Sequence, residues 1–263
     1  MNDRLSRKDV AEVLPSDMIR WNVFYYPELD STQNKAAELF RSQGRYGIFV
    51  VTDYQSGGRG REERKWIAPP GKALLFSFVL HAGHVPSHLP LLTITTVLGV
   101  CRAIRSRLDL KPEVKWPNDV LLDGKKVCGI LTEVVTSGKG DEAVVVGIGL
   151  NVNQASPDFP GELAHTATSL SIEKREGIDR LSLLKQIMSS FDNHYFLYQR
   201  GEHHEIVRRW KSYSSILGRH VCVRTGDQEI KGTVVDLENS GAIVLRLDTG
   251  QTKSFFGSDC RFI

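Results

Sequence analysis

The feature that constrains this chain most is a glycine- and arginine-rich loop that connects two predicted strands. β-Branched and apolar residues predict the strands at 48–52 and 73–80, and residues 55–66 between them read QSGGRGREERKW. Three glycines let this backbone approach a ligand, and four cations lie within seven residues. Such a loop suits an anion, because backbone N–H groups and guanidinium groups both bind phosphate or carboxylate oxygens. Taken alone, a Gly/Arg run is more often a solvated turn or a nonspecific basic patch.

Length and composition set the class of protein. The chain has 263 residues, of which 41% are hydrophobic and 25% are charged, as in an ordinary globular protein with one large domain and a small one. Its net charge of +3 is too small for the concentrated basic face of a dedicated DNA-binding protein. About twenty residues precede the first predicted strand, too few for a helix-turn-helix module. We therefore expect no DNA partner.

The cysteines and the longest apolar run indicate where the protein works. The four cysteines are far apart and form no C-x-x-C pair, which is typical of reduced thiols in a cytoplasmic protein without a structural metal. The apolar run at 143–150 contains glycine and is too short to span a bilayer, and residues 1–20 contain no signal-peptide core. Neither secretion nor membrane insertion is expected.

Hydrophobic periodicity divides the chain into three parts: an N-terminal extension at 1–20, a large domain of mixed strands and helices at 21–215 and a small β-barrel domain at 216–263. Asp-Gly at 123–124 predicts a hairpin between two apolar runs, and Pro117 predicts a break in the first of them. Helices are predicted at 5–14, 34–42, 89–108, 181–199 and 205–213, and further strands at 23–26, 114–120, 125–131 and 143–153.

Two groups of polar residues have a plain structural explanation as well as a functional one. Ser31 and Thr32 precede a predicted helix, where either could serve only as an N-cap. Lys115, Asp119 and Lys126 flank the apolar strands of the predicted hairpin, where they could be solvated charges along its edge.

Six short motifs occur in the order seen in biotin protein ligases, and the chain resembles that family over residues 24–263. Any one motif is a weak signal, whereas six in order are specific. They are Asp-Ser-Thr at 30–32, Gln55 with Gly-Arg-Gly-Arg at 58–61 and Trp66, Lys-Trp-Pro-Asn-Asp at 115–119, Lys-Val-Cys-Gly-Ile-Leu at 126–131, Gly-Ile-Gly-Leu-Asn at 147–151, and Ala-Thr-Ser-Leu at 167–170.

The resemblance implies both a fold and an activity. The implied fold is α/β of the α+β type: a class II synthetase-like catalytic domain with a mixed, largely antiparallel sheet backed by helices, then an SH3-like β-barrel. The implied activity is the ATP- and Mg²⁺-dependent conversion of biotin into biotinyl-5′-AMP, followed by transfer to one lysine of a biotin carboxyl carrier domain in a carboxylase. The resemblance is to the monofunctional class, and a homodimer stays open.

The resemblance also implies roles for individual residues. The catalytic residues would be Lys126, Arg59, Arg61 and Lys115. Biotin would be bound by Ser31, Thr32, Gln55, Gly58, Arg59, Lys126 and Gly129. ATP or the adenylate would be bound by Arg61, Arg64, Trp66, Asn118, Asp119 and Asn151. Asp119 would hold Mg²⁺ or orient a lysine.

Two alternatives and one departure accompany the resemblance. A lipoate or octanoate transferase shares the catalytic fold, although the paired Gly-Arg loop and the C-terminal barrel favour biotin. A pure binding module would not need Lys126 together with the arginines. Glu63 stands where many family members have a second loop glycine, and a positive φ there would cost on the order of 1 kcal/mol.

Overall fold

Seven strands of the first 151 residues form one sheet in a computed structural model, which describes residues 5–15, 17–83, 89–226, 228–256 and 259–263. The strands are β1 (Asn22–Leu29), β2 (Ile48–Gln55), β3 (Ala73–His81), β4 (Glu113–Lys115), β5 (Asp119–Leu122), β6 (Lys125–Thr136) and β7 (Glu142–Asn151). Their order across the sheet is β1-β2-β3-β7-β6-β5-β4. Only the β1–β2 pair is parallel, so the expected mixed, largely antiparallel sheet is confirmed.

Helices cover both faces of this sheet. They are α1 (Arg7–Val13), α2 (Thr32–Gln43), α3 (Leu89–Leu108), α4 (Leu163–Thr166), α5 (Leu170–Lys174), α6 (Arg180–Gln199) and α7 (His203–Lys211). The main core lies between the sheet and the α3–α6 pair, and a smaller one lies beneath α2. Among the described residues α3 alone is long and apolar enough to cross a membrane, but 72% of its apolar window is buried, as in the core helix of a soluble protein.

The N-terminal extension belongs to the main core. Leu5, Val10 and Leu14 are at most 8% exposed and join the same cluster as the sheet residues. The Arg7 side chain also donates a hydrogen bond to the carbonyl oxygen of Val23, at 3.0 Å. The segment therefore helps to bury the core, although every sequence motif lies beyond it.

The predicted hairpin forms, with a difference in its first strand. Asp123 and Gly124 have φ values of 47° and 75°, the left-handed pair that a type I′ turn requires between β5 and β6. The run at 114–120 is two short strands, β4 and β5, which pair with each other around residues 116–118. The break predicted at Pro117 lies in this turn.

The C-terminal residues form a second, antiparallel sheet. Its strands are β8 (His220–Thr225), β9 (Gln228–Leu237), β10 (Ile243–Leu247), β11 (Thr252–Phe255) and β12 (Asp259–Phe262), in the order β11-β10-β9-β8-β12. Trp116 joins the two sheets, because its buried indole donates a hydrogen bond to the carbonyl oxygen of Gly241 at 3.1 Å. The β4–β5 turn is thereby held against the C-terminal sheet.

Candidate active site

A cavity of about 500 Å³ lies between the start of α2, the Gly/Arg loop, the β4–β5 turn and strands β6 and β7. All but one of the predicted site residues line it. These are Ser31, Thr32, Gln55, Arg59, Arg61, Arg64, Trp66, Lys115, Asn118, Asp119, Lys126, Gly129 and Asn151. Gly58 instead lines an adjoining outer cleft, which Arg59, Arg61 and Trp66 also reach.

One end of the cavity is uncharged and polar. Ser31 caps α2, because its hydroxyl accepts a hydrogen bond from the Asn34 backbone N–H. The backbone N–H and the hydroxyl of Thr32 contact Oε1 of Gln55 at 2.7 and 3.0 Å. The capping explanation is thus correct for Ser31, and it also fixes Thr32 beside Gln55.

The Gly/Arg loop is a short hairpin. Trp66 N–H donates to the Gly58 carbonyl at 2.9 Å, and Gly60 N–H donates to the Arg64 carbonyl at 2.6 Å. Position 58 has no room for a side chain, because a Cβ atom there would lie 2.5 Å from the Trp66 carbonyl oxygen. The left-handed residue at the tip is Glu62, with φ of 52°. The strain expected at Glu63 stays a prediction.

The hairpin presents its arginines to different partners. Arg59 Nη2 is 3.0 Å from Oε2 of Glu133, and Arg61 Nη1 donates to Oδ1 of Asn118 at 3.3 Å. Arg64 pairs with Glu62 at the tip, also at 3.0 Å. Our sequence analysis missed Glu133, although its signal is a charge on β6 at the same alternation as Gly129.

Lys126 and Asp119 form a short ion pair in the cavity wall. Lys126 Nζ lies 2.7 Å from Asp119 Oδ1, and the carboxylate side chain is only 16% exposed. That oxygen has no partner with hydrogen-bond geometry among the described residues, so the contact is an ion pair only. The two charges are not a solvated edge, because each orients the other inside the site.

The Trp66 indole packs against two glycines. A Cβ atom on Gly149 would be 2.6 Å from the indole, and one on Gly129 would be 3.2 Å from it. The indole ring also lies 5.7 Å from the Lys126 ammonium, and its N–H has no hydrogen-bond partner among the described residues. A flat aromatic surface in the cavity wall suits a ligand with a ring.

Asn151 reaches the cavity wall with its amide already engaged. Its Nδ2 donates to the Thr168 carbonyl at 3.0 Å, and its Oδ1 accepts from Gln154 Nε2 at 2.7 Å. The side chain is 4% exposed. Asn151 thus fixes the segment that closes one side of the cavity, and its contact with the nucleotide stays a prediction.

Cysteine chemistry and a resident metal can both be tested at this site. Burial raises the pKa of the Cys128 thiol far above its usual range, so the thiol is a poor nucleophile. The described residues contain no group of three or more His, Cys, Asp or Glu side chains that could hold an ion. The lone carboxylate of Asp119 fits only a magnesium ion whose remaining ligands come from water and nucleotide phosphates.

The fold and this site define a class of protein ligase. Residues 25–151 match the profile of the biotin/lipoate A/B protein ligase family, and residues 216–262 match the biotin protein ligase C-terminal domain. An α+β sheet domain with a cationic loop over a partly polar cavity, followed by this second domain, is the architecture of that class.

Three relatives show which activity within this class the chain has. The chain is 32% identical to the biotin–[acetyl-CoA-carboxylase] ligase of Paracoccus denitrificans, over 87% of this chain and 98% of that protein. It is 32% identical to the bifunctional ligase/repressor BirA of Bacillus subtilis, over 96% and 78%. It superposes with a TM-score of 0.82 on the biotin protein ligase of Aquifex aeolicus in complex with biotin and ATP, at 30% identity over 92% and 99%. The chain belongs to the biotin protein ligase family and is a biotin–protein ligase.

Proposed function

We propose that this ligase activates biotin with ATP and transfers it to one lysine of a biotin carboxyl carrier domain of a carboxylase. A biotin carboxylate oxygen attacks the α-phosphorus of ATP, pyrophosphate leaves, and biotinyl-5′-AMP forms. The lysine amine then attacks the biotinyl carbonyl carbon, loses a proton, and AMP leaves. The observation that supports this most is a single cavity with an uncharged polar end at Thr32 and Gln55 and a cationic end at Lys126 and the loop arginines.

The polar end would hold the ureido ring of biotin. Ser31, Thr32 and Gln55 offer fixed donors and acceptors there, as a small polar ring requires. Gly58 and Gly129 would let the loop and the sheet approach the ligand, since a Cβ atom would lie 2.5 Å from the Trp66 carbonyl oxygen at position 58 and 3.1 Å from the Lys126 ammonium at position 129. These assignments are proposals about individual side chains.

The cationic end would hold the two reacting anions. Carboxylate and α-phosphate repel each other, so Arg59, Arg61 and Lys126 would neutralise them and hold them in line. Trp66, Arg64 and Asn118 would contact the nucleotide, and Asp119 would orient Lys126. Lys115, on β4 opposite Asp119, would act at the phosphate or at the acceptor step. Mg²⁺ bound to ATP would offset phosphate charge, with Asp119 as its one protein ligand.

The organisation around the site is part of the proposal. We assign residues 21–215 to catalysis and 216–263 to a separate C-terminal domain, because α7 ends at Lys211 and β8 begins at His220. A cytoplasmic location agrees with four cysteines that are all free and buried. A homodimer stays a prediction.

A lipoate or octanoate ligase is the alternative, because the family profile over residues 25–151 includes both activities. The polar end favours biotin, since an alkyl chain or dithiolane ring would leave its hydrogen-bonding groups unpaired.

The test is mass spectrometry of the purified protein with ATP, Mg²⁺, and biotin, octanoate or lipoate, followed by a biotin carrier domain. We expect retained biotinyl-5′-AMP and then one biotinylated lysine on the carrier. A carrier in which that lysine is arginine is the matched control and should stay unmodified. Adenylate formation from octanoate or lipoate, without any from biotin, would contradict the proposal.

A further inference from the structure

A buried hydrogen-bond chain runs inward from the polar end of the cavity. The hydroxyl oxygens of Thr32 and Ser77 are 2.8 Å apart, and Ser77 Oγ is 3.3 Å from Oε1 of Gln33. All three side chains are at most 4% exposed. The sequence motifs do not include Ser77 or Gln33, although both lie in the cavity wall.

Gln33 is locked in one orientation. Its Nε2 donates to the Val145 carbonyl at 3.2 Å and to Oε2 of Glu133 at 3.0 Å. Turning the amide over would place Oε1 against these two acceptors, so Oε1 must face Ser77. Gly147 makes this possible, because a Cβ atom there would lie 2.4 Å from Gln33 Oε1.

The buried hydrogen-bond chain has fewer hydroxyl protons than it has contacts. Thr32 Oγ1 contacts both Gln55 Oε1 and Ser77 Oγ, and Ser77 also contacts Gln33. These three contacts share only two hydroxyl protons. Ser77 donates to the buried Oε1 of Gln33, and Thr32 donates across the shortest contact to Ser77. Gln55 Oε1 then keeps only the Thr32 backbone N–H and can accept one more hydrogen bond.

We propose that Ser77 and Gln33 are positioning residues that set the substrate specificity of this site, by drawing the Thr32 proton inward so that Gln55 accepts a hydrogen bond from a cyclic urea N–H. The inference rests on biotin being the substrate. An alkyl chain or a dithiolane ring has no N–H, so it would cover this half-buried acceptor without supplying its second hydrogen bond. The two residues thereby favour biotin over the acids that the wider family uses.

The consequence of removing Ser77 follows from the same count. In Ser77→Ala the Thr32 hydroxyl can donate only to Gln55 Oε1. That hydrogen bond then occupies the acceptor position that a urea N–H would use. We expect the dissociation constant for biotin to rise about tenfold while that for octanoate stays the same or falls. Gln33→Met should act in the same direction, since it releases the Ser77 proton back to Thr32.

The experiment is calorimetric titration of the full-length protein with biotin, desthiobiotin, octanoate and lipoate, alongside biotin-dependent pyrophosphate release. Desthiobiotin keeps the urea and should follow biotin. The biotin KM should rise with kcat nearly unchanged, because the lost contact belongs to binding rather than to the reacting atoms. Ser77→Thr keeps the hydroxyl and should restore part of the selectivity.

Thr95→Val is the matched control, because it removes another fully buried hydroxyl that bonds only to the Leu91 carbonyl in its own helix. It should leave the selectivity at the wild-type value. Equal weakening of biotin and octanoate in Ser77→Ala, or no change in either, would overturn the inference. A wild-type protein that binds biotin selectively without releasing pyrophosphate would contradict only the proposed function.

Discussion

Trp66 rests directly on Gly149, since a Cβ atom at position 149 would lie 2.6 Å from Cε2 of the indole. Cβ atoms do not approach other atoms so closely, so only glycine at position 149 leaves room for the Trp66 indole. The indole links the Gly/Arg loop to β7, and it also lines the cavity. The contact therefore joins loop position to ligand binding.

Gly149→Ala should displace the indole and weaken substrate activation. Overpacking of this kind costs about 1–3 kcal/mol, and a loss of that size in transition-state stabilisation would lower kcat/KM for pyrophosphate release by about 5- to 150-fold. The emission assigned to Trp66, by difference from Trp66→Phe, should shift to the red as the ring enters water. Gly138→Ala is the control, because nothing lies within 4 Å of a Cβ atom there. Unchanged emission and kinetics in Gly149→Ala would contradict the packing described here.

This contact shows where sequence reasoning ends. The glycines of the Gly-Ile-Gly-Leu-Asn motif indicate close approach, but the sequence does not say by what. Gly149 admits Trp66, which is 83 positions away, and Gly147 admits Gln33. Such pairings depend on strand order, because β7 lies beside β3 and β6 only in the folded sheet.

Local patterns were sufficient for most of the fold. The Asp-Gly turn, the apolar spacing of α3 and the cap at Ser31 were all predicted, because each depends on residues within a few positions. Gln33, Ser77 and Glu133 were missed because each is an ordinary polar residue until the sheet brings them together. The bond from Asn151 to the Thr168 carbonyl could not be predicted for the same reason, since Thr168 lies in a later loop.

Asp119→Asn tests whether this carboxylate acts through Lys126. An amide cannot balance the ammonium 2.7 Å away, so adenylate formation should fall about tenfold or more. Lys126→Ala should cost ~10²-fold or more, and the double variant should be no worse than Lys126→Ala alone. The measurement is single-turnover formation of biotinyl-5′-AMP.

Lys125→Ala is the control, because this exposed neighbour does not line the cavity. Titration with Mg²⁺ separates the two roles of Asp119. If Asp119 chiefly binds the metal, the double variant will be worse than Lys126→Ala, and excess Mg²⁺ will restore part of the activity of Asp119→Asn. Either result would show that the ion pair is not its main function.

Asp192 on α6 should make stability depend on pH. Burial, and secondly the charge of Asp17, raise the pKa of this carboxyl to about 6, and Oδ1 has no hydrogen-bond partner among the described residues. The folded state therefore binds the proton more tightly than the unfolded state, whose pKa is near 3.8. Stability should fall as pH rises between these two values and stay lower above about 6.

Asp192→Asn should remove that penalty. We expect the variant to be more stable than wild type by roughly 2–3 kcal/mol at pH 7.5, with little difference near pH 4. Urea unfolding at pH 4, 5 and 7.5 measures this, and the titration of buried His194 cancels because both proteins contain it. Glu176→Gln, at an exposed carboxylate, should show no such pH-dependent difference. A variant that is equally stable at pH 7.5 would contradict the assignment.

Arg61→Gly should let the activated intermediate escape. Biotinyl-5′-AMP is a mixed anhydride that water or any free amine can attack, so the enzyme must hold it until the carrier lysine arrives. Arg61 ties the Gly/Arg hairpin to the β4–β5 turn through Oδ1 of Asn118, and its guanidinium lines the cavity. The glycine variant loses this tie and one cation, and it adds backbone freedom. Dissociation of preformed biotinyl-5′-AMP should become about tenfold faster, with a smaller effect on its synthesis.

Lys65→Gly is the matched control for that experiment. It also removes one cation and adds a flexible residue to the same hairpin, but Lys65 pairs with Arg59 across the hairpin, whereas Arg61 reaches the β4–β5 turn. Lysines of an unrelated protein such as serum albumin should become biotinylated with Arg61→Gly and should stay unmodified with wild type and Lys65→Gly. If Lys65→Gly releases the adenylate as fast as Arg61→Gly does, then loop flexibility alone governs retention. If neither variant releases it faster than wild type, the hairpin does not retain the intermediate at all.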